Sequence, residues 1–108
     1  MTKYKIMVSE PWDFEGPAGA NLIIGNIVKK ISPLLIVFES DHLLNFGSFE
    51  GRILILKPRY EKEVLSDENS FEGIVGGAIF LSDNYEYKDI EYLEKNSKYV
   101  FIGSLREN

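Results

Sequence analysis

Residues 21–40, NLIIGNIVKKISPLLIVFES, constrain the fold more than any other stretch of the chain. Two runs rich in β-branched residues flank Ser32-Pro33, which carries turn chemistry, so the stretch predicts a β-hairpin. Apolar side chains occupy both alternate sets of the first run, with Leu22, Ile24 and Val28 against Ile23, Ile27 and Ile31. The second run, LLIVF, and the ILIL of residues 52–57 do the same. A strand with one wet face alternates, so these strands are expected to be covered on both sides. A barrel interior accounts for one side. The other must be covered by a helix, by folded-back loops or by a second copy of the chain, and a combination of the last two is expected because the one helix signal is short. Gly25, inside the first run, marks a bend or a close backbone approach, as in a curved barrel strand.

Residues 3–9 alternate, with Tyr4, Ile6 and Val8 on one face and Lys3, Lys5, Met7 and Ser9 on the other, and predict a half-buried first strand. Further strands are expected over 21–31, 34–39, 52–57, 74–81 and 98–105. In the 74–81 strand, Gly76-Gly77 leaves room for a bulge. Residues 39–51 read as a connecting loop with room for a short strand. Residues 59–73, the most polar stretch, read as a flexible connection. Helix signals occur only near the C-terminus, where Tyr87, Ile90 and Leu93 recur every three residues and Glu91 precedes Lys95 by four. Asp83 or Asn84 is the expected N-terminal cap and Asn96 the end. The expected fold is therefore mainly β, of α+β type: an antiparallel β-barrel or strongly curved sheet of about six strands. One C-terminal helix precedes the last strand. A compact α+β sandwich is the alternative, and residues 1–108 are read as a single domain.

At 108 residues and 44% apolar content the chain holds one core. It has no cysteine, which excludes disulfides, thiolate metal sites and thiol nucleophiles. The first apolar run, residues 6–8, is too short for a secretory signal, so Met1 is read as the start of the folded chain and a cytoplasmic location is expected. The longest fully apolar run, residues 34–38, falls far below the roughly 18 residues of a spanning helix, and no membrane partner is expected. Twelve Lys and Arg against seventeen Asp and Glu give a net charge of −5. Residues 10–20, 39–51 and 64–78 each hold three acids and no Lys or Arg, which concentrates negative charge in the expected loops.

Catalytic patterns are incomplete. His42 is the single histidine and has no spaced ligand set, so it reads as a loop histidine in ordinary hydrogen bonds. Residues 67–73, DENSFEG, fail the calcium-loop pattern, with Phe71 at the fifth position and Glu72 at the sixth. Glycines 16, 19, 73, 76 and 77 lack phosphate-loop spacing and read as turn and bulge residues. No cofactor or metal is expected. Glu10, Asp13 and Glu15 beside Trp12 and Phe14 are the best carboxylate group for a carbohydrate or small-ligand site, or for acid–base work on a glycosidic bond. Lys57, Arg59, Tyr60 and Lys62 supply the ingredients of a single-strand nucleic-acid platform. Glu61, Glu63 and the net negative charge oppose that use.

Residues 9–17, SEPWDFEGP, resemble the N-terminal signature of a family of small bacterial proteins of about this length with no assigned activity. Residues 51–60, GRILILKPRY, and 95–105, KNSKYVFIGSL, look like its other recurrent pieces. In size, acidity and lack of cysteine the chain is also similar to immunity proteins encoded beside bacterial polymorphic toxins. That similarity implies a noncatalytic module whose acidic loops cover the basic cleft of a toxin. Trp12 and Phe14 would be the anchors, flanked by Glu10, Asp13 and Glu15, with Glu39 and Asp41 on a second loop. The expected partner is thus a basic protein. A homodimer is expected separately, because one short helix cannot cover all the two-sided strands.

Overall fold

The structure, a computed structural model, describes residues 3–10, 15–16, 19–20, 22–32, 35–46, 49–59, 72–80 and 89–108. In chain order its elements are β1 (Tyr4–Glu10), β2 (Glu15–Gly16), β3 (Gly19–Ala20), β4 (Leu22–Ser32), β5 (Leu35–Phe46), β6 (Phe49–Pro58), β7 (Gly73–Phe80), α1 (Ile90–Lys95) and β8 (Ser97–Glu107). Six of the strands close into an antiparallel barrel in the order β1-β4-β5-β6-β7-β8, with β8 paired back onto β1. β2 and β3 form a separate two-residue hairpin between β1 and β4. Each barrel strand pairs with the next barrel strand in sequence, so the chain is a meander, and the sandwich alternative does not apply.

Alternation selects the interior. Tyr4, Ile6 and Val8 of β1 point into the barrel with Ile23 and Ile27 of β4, Ile36 and Phe38 of β5, Leu54 and Leu56 of β6, Val75 and Ile79 of β7, and Phe101 and Leu105 of β8. The inside of this small barrel is a packed core, and side chains fill it in place of a ligand. Two glycines permit the closure. A side chain at Gly25 would collide with the Glu39 carbonyl oxygen and the Phe38 ring, so β4 can lie this close to β5 only with glycine there. At Gly77 the ring of Phe101, its cross-strand partner, occupies the missing side chain's volume. The β7–β8 register then shifts between Gly77 and Ala78, the bulge expected at this glycine pair.

The other alternate set of β5 and β6 is buried outside the barrel. Leu35, Val37, Ile53 and Ile55 pack with Phe80 and with Leu93 of α1, flanked by Val28, Ile31 and Tyr92. The two-sided cover is thus present, and α1 contributes to it on this wall. The helix is shorter than its sequence pattern. Asp89 is the N-cap, its carboxylate accepting the Tyr92 N–H at 2.8 Å, and Asn96 ends the helix by donating to the Tyr92 carbonyl. Asp83 and Asn84, the expected caps, lie outside the described residues.

Residues 39–51 are not a connecting loop. β5 continues to Phe46 and turns into β6 at Phe49. The period of two is broken on the way: from Glu39 to Leu44 β5 advances five positions while β6 goes only from Ile53 to Gly51, two positions. Ser40, the one buried polar side chain among the described residues, satisfies its hydroxyl at this irregularity by accepting the His42 N–H at 3.1 Å.

Candidate functional site

With the described inward side chains packed into one core, the features considered next lie on the outside of the barrel. Three features of that outside are built by the elements just described: the acidic hairpin, the wall under α1, and the wall formed by β7, β8, β1 and the start of β4.

The acidic hairpin follows from turn chemistry. Glu15 pairs with Ala20 and Gly16 with Gly19, so Pro17 and Ala18 fall between two paired glycines and the loop is a tight hairpin, with β2 lying against β4. Glu10 ends β1 at the register position opposite Ile102. Trp12, Asp13 and Phe14, and the side chains of Glu10 and Glu15, lie outside the described residues.

Glu39 and Asp41 stand on the outer face of strand β5 and both are exposed, where the sequence had put them on a loop. Asp41 is engaged by Lys3, whose Nζ lies 2.6 Å from its Oδ1. Lys3 precedes β1 and Glu10 ends it, so about 23 Å of extended strand separates the two positions. The predicted acidic residues therefore do not gather at one point. Asp41 sits by the start of β1, and the acidic hairpin follows its end. His42 is exposed beside them on strand β5, where a loop was expected, and its backbone N–H donates to the Ser40 Oγ.

Beside α1, Ile55, Lys57, Gly76, Gly77, Ala78, Glu94 and Ser97 line a shallow depression of about 110 Å³. Its floor is low because two glycines and an alanine provide it. Lys57 and Glu94 bridge its rim, Nζ to Oε1, at 3.1 Å. This takes up the first cation of the proposed nucleic-acid platform. Arg59 is exposed, and Tyr60 and Lys62 lie outside the described residues. Glu94, and not Glu91, makes the recorded ion pair of the helix. Among the described residues no group of three or more acidic or histidine side chains could hold a metal ion, and no helix is long and apolar enough to cross a membrane.

The remaining wall escaped the sequence reading. Ile74 pairs with Ser104, Ser104 with Met7, and Met7 with Leu22, so the four form one row across β7, β8, β1 and β4 on the outside of the barrel. Met7 is 47% exposed and Ile74 40%. One step along the strands, Lys5 and Arg106 are direct cross-strand partners. The signal available in the sequence was Met7, an apolar residue placed among Lys3, Lys5 and Ser9 on the polar face of β1.

No family model, no curated protein and no solved structure matches the chain. The functional reading therefore rests on the geometry and chemistry of these surfaces.

Proposed function

We propose that this protein is a noncatalytic binding module of immunity or inhibitor type, which presents an acidic surface to a basic protein partner. The observation that carries the reading is a barrel whose inward side chains form one packed core, together with an acidic, aromatic-bearing stretch of sequence around the β2–β3 pair. Each barrel strand contributes inward side chains to that core, while Glu10 ends β1 and the sequence that follows it holds Asp13 and Glu15 beside Trp12 and Phe14. An acidic surface on a chain of net charge −5 steers a basic partner by long-range attraction, and desolvated aromatics at its centre supply affinity. The exposed Glu39 extends the negative field. The depression beside α1 supports a small-ligand reading less well, because its 110 Å³ falls below the roughly 300–1,000 Å³ typical of ligand pockets.

The test is capture from the native cytoplasm on the tagged protein at low and high salt, repeated with Asp13→Lys/Glu15→Lys. The reading expects one basic protein, retained at low salt, released by salt, and bound at least about tenfold more weakly by the reversed variant. Capture that ignores the charge reversal, or no protein at either salt concentration, would rule the reading out.

A further inference from the structure

We propose that Met7 is a modification site, where a hydroperoxide oxidises the thioether reversibly, and that the Ser104 hydroxyl holds the resulting sulfoxide. The chain has no cysteine and two methionines, so its sulfur is confined to the thioethers of Met1 and Met7. Met7 stands on the outer face of β1 and is 47% exposed, which opens its side chain to an oxidant in solvent. The reaction is a two-electron oxygen transfer. The sulfur attacks one peroxide oxygen, an S–O bond forms as the O–O bond breaks, and the other oxygen leaves with the proton as water or an alcohol. The sulfur is oxidised and the hydroperoxide reduced. Dedicated reductases return methionine sulfoxide to the thioether, so the change is reversible.

The surroundings of Met7 suit the product. Oxidation of a buried methionine forces a polar oxygen into a core, but the core side chains of β1 are Tyr4, Ile6 and Val8, on its other face. Ser104 is the direct cross-strand partner of Met7, a pairing that sets the two Cβ atoms about 5 Å apart. The Ser104 hydroxyl oxygen accepts the Arg106 Nε–H at 3.4 Å, which leaves the hydroxyl hydrogen to be donated elsewhere. A thioether sulfur is a weak acceptor for it, and oxidation puts a polar oxygen in the same place. Lys5 and Arg106 lie on the same outer face, two residues along β1 and β8 from the Met7–Ser104 pair, and add cationic donors to that neighbourhood. The sulfoxide oxygen therefore accepts the Ser104 hydrogen, and the exposed row of Met7 and Ile74 loses half of its apolar character while the core stays as it is.

This inference does not rest on the basic partner proposed above. Its test treats the purified full chain with hydrogen peroxide and follows Met7 and Met1 separately by peptide mass, with free methionine as the reference. Met7 should gain one oxygen at a rate within about tenfold of the reference. The oxidised chain should melt within about 3 °C of the untreated parent, as expected for a change on an exposed face. Met7→Leu, treated in the same way, reports any contribution from Met1. Ser104→Ala should fall on oxidation by at least about 2 °C more than the parent does, because its sulfoxide lacks the hydroxyl donor. A Met7 that reacts more slowly than the tenfold limit overturns the proposal. So does a fall on oxidation that is the same with and without the Ser104 hydroxyl.

Discussion

The outer faces of β5–β6 and of β8–β1 are made by the same period-two backbone, and both carry outward apolar side chains, but they end in different states. Over β5 and β6, Leu35, Val37, Ile53 and Ile55 lie under α1, with Phe80 and Tyr92 meeting edge to face at 6.2 Å between ring centroids. Over β7, β8 and β1, Met7 and Ile74 remain exposed near Lys5 and Arg106, and Arg106 donates its Nε hydrogen to the Ser104 Oγ at 3.4 Å. A six-residue helix is enough for the first wall because its contact is concentrated in one fully buried leucine, Leu93, set at its place by caps at both ends. The covered wall is thus part of what keeps the chain folded. The bare wall is free to be part of what the chain contacts.

The sharpest way to break this contrast is Leu93→Ala. Leu93 is fully buried, so its truncation leaves a cavity between α1 and the barrel and should cost about 2–5 kcal/mol, read as a lower denaturant midpoint. If α1 were a loosely attached strap, the cost would fall below about 1 kcal/mol and the two walls would be alike. Next in size is Asp89→Ala, which leaves the Tyr92 N–H without its 2.8 Å acceptor and should cost about 1 kcal/mol. Met7→Ser, on the bare wall, should change the stability of the monomer by less than about 0.5 kcal/mol when measured in dilute solution. A larger loss there would mean that Met7 is covered within the chain.

What the sequence made legible, and what it did not, divides along the same physical lines. Strand positions were readable wherever burial imposes a period, as in Tyr4, Ile6 and Val8, or wherever both faces are buried, as in residues 35–38 and 53–56. The part of β5 beyond Glu39 was not, because the irregularity between Glu39 and Leu44 sets Asp41, His42 and Leu43 side by side in solvent and destroys the alternation that marks a strand. Gly25 was legible as a close approach and Gly77 as part of a bulge, but not the partners they meet, which come from other strands. The apolar cover of β5 and β6 was expected, yet folded-back loops and a second copy were favoured over the helix as its source. Burial of an outer face says that something lies on it without saying what. The bare wall was hidden for a related reason. Its row joins residues 7, 22, 74 and 104, and only the closure of β8 onto β1 makes them neighbours.

The smallest effect tests whether the charges of the bare wall repel one another. Lys5 and Arg106 are a like-charged cross-strand pair, and Arg106→Glu converts it into an attractive one. Both side chains are accessible to solvent, so screening keeps the gain for the isolated chain to a few tenths of a kcal/mol, at the low end of the roughly 0.2–1 kcal/mol of such pairs. The variant should therefore melt slightly higher in dilute solution. Added salt should stabilise the dilute parent by screening its repulsion, with no such gain for the variant. A variant that melts lower when dilute would show that the hydrogen bond from Arg106 Nε to the Ser104 Oγ outweighs the repulsion from Lys5.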